Sequence, residues 1–137
     1  MEQEAFFYEG KNFTFRWNPQ ENLCFMVIKG TQAKDDANEF ESKVIDVFKK
    51  SPDSYTALKN ANVLVDCLRM IKVEHEARKI YTKLATEFSN SRLAVFGTKV
   101  LARVIIGFIL TASRRKNIKF FETKKQALSW LRILVFS

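Results

Sequence analysis

The chain has 137 residues, of which 47% are hydrophobic and 28% charged, with only four glycines and two prolines. This length is typical of one domain with its own core, and the scarcity of Gly and Pro excludes a low-complexity chain. The net charge of +8 is concentrated in residues 92–137, which hold 10 basic and 1 acidic side chains against 13 and 14 in residues 1–91. This asymmetry favours an anionic partner.

An antiparallel hairpin is predicted near the amino terminus. Aromatic and polar residues alternate over 13–17, as in a half-buried strand, and 18–22 has the composition of a turn. A second strand is predicted over 23–29, ending at Gly30. The aromatic segment 6–8 is a candidate edge strand, and the sequence leaves open whether it joins the sheet.

The middle of the chain alternates helices with strands. Amphipathic helices are predicted over 36–50 and 74–88. Short apolar runs at 61–66, 92–97 and 118–121 are separated by segments long enough for a helical crossover between parallel strands. Since the runs lack polar alternation, we expect strands covered on both faces, and therefore an α/β domain.

A very apolar helix is predicted over 99–116. Its apolar run of about eleven residues is too short for the roughly twenty needed to span a membrane, and Arg103 interrupts it. Three interpretations remain: a core helix, a membrane-surface helix with basic flanks, or an interface. We favour burial in the core or in a homodimer interface, for which the candidate residues are Leu101, Ile105, Phe108 and Ile109.

The last helix is predicted to follow Thr123. Thr123 and Gln126 have the spacing of a capping box, and Ala127, Leu128 and Leu131 form an apolar face. Residues 133–136 are interpreted as a closing strand or a docked tail.

Groups suited to catalysis or metal binding are few. Cys24 and Cys67 lie in or beside apolar runs without a CxxC spacing, which indicates reduced core thiols of a cytoplasmic protein. His75 is predicted to face solvent, without a triad partner or an HExxH motif. The acidic start of the chain does not resemble a secretory signal. The sequence therefore predicts neither an enzyme nor a bound cofactor or metal.

Charged residues supply two candidate sites. Asp66 is predicted to end a central strand, where it either faces a ligand or partner cleft with Arg69 or caps the following turn. A larger set of cations is a candidate anion-facing surface. Nucleic acid is not the favoured partner, because the sequence lacks a nucleic-acid recognition motif. The set comprises Arg114, Arg115, Lys116, Lys119, Lys124 and Lys125.

Three segments together resemble the STAS-like (SpoIIAA-like) superfamily. They are residues 62–66 (Asn-Val-Leu-Val-Asp), residues 92–96 (Arg-Leu-Ala-Val-Phe) before the apolar helix, and 118–121 (Ile-Lys-Phe-Phe) followed by 127–131 (Ala-Leu-Ser-Trp-Leu). Small bacterial STAS-like proteins end in a similar way. The resemblance covers about residues 11–132, so residues 1–137 are expected to form one STAS-like domain.

The resemblance implies a mixed sheet of about five strands, with an N-terminal hairpin and about four helices packed on it. It also implies a non-enzymatic protein, since members bind partner proteins and some bind small ligands. In anti-sigma-factor antagonists a Ser or Thr after the third strand is phosphorylated. Residues 66–70 (Asp-Cys-Leu-Arg-Met) hold no hydroxyl there, so that switch is not expected. The function predicted is a cytoplasmic interaction module. The alternative is a peripheral membrane protein, or a protein that binds a lipid or small ligand, which uses the apolar helix 99–116 and its basic flank.

Overall fold

A computed structural model describes residues 5–50, 53, 56, 60–87, 92–97, 107 and 117–136. The described elements, in chain order, are β1 (Phe6–Glu9), β2 (Phe13–Asn18), β3 (Leu23–Gln32), α1 (Lys34–Lys50), β4 (Asn62–Val73), α2 (His75–Glu87), β5 (Arg92–Phe96), β6 (Ile118–Phe121) and α3 (Lys124–Phe136).

The strands form one six-stranded mixed sheet in the order β1-β2-β3-β4-β5-β6. The β1–β2 and β2–β3 pairs are antiparallel, whereas the pairs from β3 to β6 are parallel. The hairpin and the three parallel strands are therefore confirmed. The segment 6–8 joins the sheet as β1. The hairpin and the three apolar runs predict five strands, whereas the described sheet has six.

One face of the sheet packs against α1 and α2. The inward side chains of β2 are almost fully buried, and Phe40 of α1 contacts two of them edge-on, with ring centroids 5.4 Å from Phe13 and 5.6 Å from Phe15. This arrangement follows from the period of two along β2 and the apolar stripe along α1. The two helices also contact each other.

The other face carries α3. Leu64, Ala94 and Phe96 of the sheet pack with Ala127 and Leu131 of α3, and all five are buried. Apolar residues on both sides of β4 and β5 are thus covered, which explains their continuous apolar runs.

Several predicted boundaries are wrong. β3 continues past Gly30, which has a φ of +62°, to Gln32, and β4 continues past Asp66 to Val73. Residues 133–136 are neither a strand nor a separate tail, because α3 runs through Phe136. The apolar helix predicted over 99–116 lies outside the described residues, apart from the helical Gly107.

The predicted capping box at the start of α3 is confirmed. The backbone N–H of Gln126 donates to Thr123 Oγ1 at 3.2 Å, and the backbone N–H of Thr123 donates to Gln126 Oε1 at 3.3 Å.

We expect Thr123→Ala to lower the free energy of unfolding by about 1 kcal/mol, since it leaves a helix N–H without its acceptor. Urea denaturation followed by circular dichroism measures this. Thr123→Ser, which keeps the hydroxyl, is the matched control. An equal loss in both variants would show that the methyl group, rather than the cap, matters.

Candidate functional site

The second half of β4 departs from regular strand geometry. Its pairing with β3 advances from Val27↔Asp66 to Lys29↔Arg69, and then from Gly30↔Met70 to Thr31↔Lys72. β4 thus contributes one extra residue at each step, which is the definition of a β-bulge. Two bulges in a few residues change which side chains of β4 face the core.

After Asp66, every third residue of β4 is buried. Cys67, Met70 and Val73 point into the core shared with α1 and α2. The residues between them are exposed, and we call these four, Leu68, Arg69, Ile71 and Lys72, the bulge surface.

Two large aliphatic side chains dominate the bulge surface. Leu68 is 59% exposed and Ile71 is 71% exposed, and each is followed in sequence by an exposed cation. Lys29 lies opposite Arg69 on β3 and adds a third positive charge beside the surface. The surface is therefore both apolar and cationic.

Asp66 holds the first bulge. Its Oδ1 accepts a hydrogen bond from the backbone N–H of Leu68 at 2.9 Å. Arg69 is exposed, and no ion pair joins it to Asp66 in the described part of the chain. Of the two interpretations of Asp66, this hydrogen bond agrees with the capping one, although the residue lies within β4 and not at its end.

Gly97 brings the end of β5 against the bulge. It has a φ of +77°, and a Cβ atom placed on it would lie 2.6 Å from both Cγ and Cδ2 of Leu68. Only glycine tolerates both this backbone conformation and this approach. The position of Leu68 therefore depends on a residue 29 places away in sequence.

The cysteines and the histidine do not form a reactive site together. Burial raises the pKa of the Cys24 and Cys67 thiols to about 12, so both stay protonated at neutral pH. His75 is exposed at the start of α2. Among the described residues, no three His, Cys, Asp or Glu side chains are placed to hold a metal ion. We find no catalytic constellation in this part of the chain.

The predicted cationic set is only partly described. Lys119, Lys124 and Lys125 are exposed at β6 and the start of α3. Arg114, Arg115 and Lys116 lie outside the described residues, and so do the predicted interface residues Leu101, Ile105, Phe108 and Ile109. None of the described helices is long and apolar enough to cross a membrane.

Sequence reasoning missed Leu68, Ile71 and Lys72. The signal was an apolar residue followed by a cation, twice at a spacing of three, between residues suited to a core. The period of two of a regular strand does not account for that spacing, which arises from the bulges.

Comparison with known families identifies the domain. A family described as a domain of unknown function, DUF7793, matches residues 35–134, from α1 to α3. The chain belongs to this family. The match begins after β3, so the N-terminal hairpin lies outside the region it covers. No curated protein matches the chain.

A solved structure shows the same fold. The chain is similar to an uncharacterized protein of the DUF3478 family with a SpoIIAA-like fold from Shewanella loihica PV-4, with a TM-score of 0.57 and 17% identity over 93% of this chain and 92% of that one. At this identity the likeness concerns the fold alone. It confirms the α/β SpoIIAA-like fold that the resemblance implied.

Proposed function

We propose that the protein is a non-enzymatic interaction module, and that its bulge surface binds a protein segment bearing aliphatic and acidic side chains. The observation that carries the proposal is the exposure of Leu68 and Ile71 beside Arg69 and Lys72. Burying an exposed Leu or Ile side chain contributes about 1.5–3 kcal/mol. Nearby cations would orient an acidic partner and increase its association rate.

The geometry of the strand favours binding through side chains. β5 pairs with β4 only from Asn62 to Asp66. On the β5 side, therefore, no described strand covers the later half of β4. Bulges disrupt the regular backbone ladder that strand addition requires. A partner is therefore expected to pack on Leu68 and Ile71 rather than to extend the sheet.

The state of the thiols supports a non-enzymatic role, since both are buried and protonated. The proposed module works without a phosphorylation switch of the anti-sigma-factor type, because residues 66–70 hold no hydroxyl. We also propose that the protein is cytoplasmic and forms a homodimer through the 99–116 segment. An anionic membrane surface is the second candidate, because it also complements exposed aliphatic groups beside cations.

The test uses site-specific photocrosslinking in the organism that encodes the protein. A benzophenone amino acid replaces Ile71 or, as the matched control, Ile45, which is 43% exposed on α1. We expect one protein to be crosslinked from position 71 and not from position 45. Capture of no protein from position 71, or of the same proteins from both positions, would refute the proposal.

Purified components then measure the affinity. The double variant Leu68→Ser/Ile71→Ser should weaken binding of that protein at least tenfold, about 1.4 kcal/mol, whereas Ile45→Ser should leave it unchanged. Vesicles with and without phosphatidylserine test the membrane candidate. Binding to anionic vesicles that Leu68→Ser/Ile71→Ser abolishes, without any protein crosslink, would replace the proposed function by membrane association.

A further inference from the structure

A groove of about 230 Å³ lies on the α3 face of the sheet, between α3 and the β2–β3 hairpin. Its apolar wall is formed by Leu23, Phe25, Leu64 and Leu128. Three cations, Arg16, Lys124 and Arg132, also line it. The groove lies apart from the bulge surface, since no residue of that surface lines it.

Aromatic rings hold two of these cations. Lys124 Nζ lies 4.7 Å from the ring centroid of Phe25, and Arg16 Cζ lies 5.4 Å from that of Phe7. Arg16 is also the direct cross-strand partner of both Phe7 and Phe25. Cation–π contacts of this kind restrict a side chain without neutralising its charge. The positive groups are thus oriented in advance and keep their full charge.

Charge in the groove is unbalanced. Glu21 is the single carboxylate in its lining. No ion pair within the described residues involves Arg16, Lys124 or Arg132. Three cations and one carboxylate leave a net charge of +2, which a single dianion would neutralise.

Asn18 adds a polar donor. Its Oδ1 accepts the N–H groups of Gln20 and Glu21 at 3.1 and 3.3 Å. Because the oxygen is engaged in the turn, the remaining function of the carboxamide is its NH₂ group, which can only donate. Every polar group of the lining except Glu21 therefore suits an acceptor-rich ligand.

We propose that this groove binds a phosphate monoester that carries an apolar or aromatic group. Near pH 7 such a phosphate has a charge close to −2 and three acceptor oxygens, which match the charge of the groove and the guanidinium groups of Arg16 and Arg132. The apolar wall receives the organic part. The ligand is either a free small molecule or the headgroup of a lipid, which share this chemistry.

The probe is phenyl phosphate, titrated into ¹⁵N-labelled protein and followed by NMR. Saturable shifts are expected at the amides of Leu23, Phe25 and Leu128. Phenyl phosphate should bind at least tenfold more tightly than inorganic phosphate or phenol. Its affinity should rise between pH 5 and pH 7.5, as the phosphate loses its second proton near pH 6. Equal affinity for inorganic phosphate would reduce the site to an adventitious anion contact and overturn the proposal.

Two charge-matched double variants separate specific binding from a general charge effect. Arg16→Gln/Lys124→Gln should weaken binding about tenfold or more. Lys79→Gln/Lys83→Gln removes the same charge from exposed positions on α2 and should change the affinity less than twofold. An equal loss in both variants would refute a specific site.

Vesicles distinguish the two sources of the phosphate. Phosphatidic acid carries a phosphate monoester, whereas phosphatidylserine does not. Binding to phosphatidic acid vesicles but not to phosphatidylserine vesicles, lost in Arg16→Gln/Lys124→Gln, would identify the ligand as a lipid headgroup. Binding of phenyl phosphate without binding to either kind of vesicle would identify it as a free small molecule. Leu68→Ser/Ile71→Ser should bind phenyl phosphate like the wild type, so this proposal and the interaction module fail independently.

Discussion

Replacing Gln32 with Leu is expected to lower the free energy of unfolding by about 4 kcal/mol, since each buried polar group left without a partner costs about 1–3 kcal/mol. Gln32 is 0% exposed. Its Nε2 donates to the carbonyls of Asn12 at 2.7 Å and Lys29 at 2.9 Å, and its Oε1 accepts the Tyr81 hydroxyl at 2.6 Å. One side chain thus links β3, α2 and the segment before β2.

The Tyr81 hydroxyl acts as the donor of this cluster. Burial, and to a smaller extent Asp36, raises the pKa of Tyr81 well above its ordinary value. The hydroxyl therefore stays protonated throughout the neutral range, and the hydrogen bond to Gln32 does not weaken with pH there.

Tyr81→Phe is the control for Gln32→Leu. It leaves only Gln32 Oε1 short of a partner, and we expect a loss of about 1–2 kcal/mol. The double variant should lose less than the sum of the single variants, because it removes the hydroxyl that Gln32→Leu leaves unpaired. Urea denaturation measures all three. A loss below about 1 kcal/mol for Gln32→Leu would show that water satisfies the freed groups.

Gly97→Ala is expected to cost about 2–3 kcal/mol, which combines the strain of a positive φ with a close contact. The new Cβ would lie 2.6 Å from Leu68 Cγ and Cδ2 and 3.0 Å from the Leu68 backbone nitrogen. Because Leu68 is partly exposed, its side chain will move, whereas the backbone of the bulge will resist.

A double-mutant cycle separates the two contributions. Leu68→Ala alone should cost less than about 1 kcal/mol, because the side chain is largely exposed. In the Leu68→Ala background, Gly97→Ala should cost less than in the wild type, because the contacts with Leu68 Cγ and Cδ2 are gone. The strain of its φ, about 1 kcal/mol, and the contact with the backbone nitrogen of residue 68 remain. Thermal and urea unfolding of the four proteins give the coupling. An absence of coupling would mean that β5 and the bulge do not constrain each other.

Much of the fold could be predicted from local patterns. The period of two over residues 13–17, the apolar stripe of α1 and the three apolar runs each report their own burial, which depends on the residues of one element. The capping box of α3 could also be predicted from the sequence, because both partners lie within four residues. Boundaries were less accurate: α1 begins at Lys34, two residues earlier than predicted, where Asp36 Oδ2 accepts the Ala33 N–H.

The candidate site was only partly predictable. The sequence predicts that the strand ends at Asp66, with Arg69 beyond it, but β4 continues to Val73 and Asp66 holds a bulge within it. The excess of cations along the sequence lies in the last third of the chain, whereas the groove combines Lys124 and Arg132 of α3 with Arg16 of β2. Nothing along the sequence relates residues so far apart.

Except at residues 133–136, the sequence by itself determined the order and type of the predicted elements that the structure describes, since propensity and hydrophobic period act within each element. Tertiary structure alone decided the exposure of Leu68 and Ile71, the hydrogen-bond partners of Gln32 and the convergence of Arg16 with Lys124. The physical reason is strand register, because the pairing of β4 with β3 introduces the bulges, and each extra residue changes which side chains face the core.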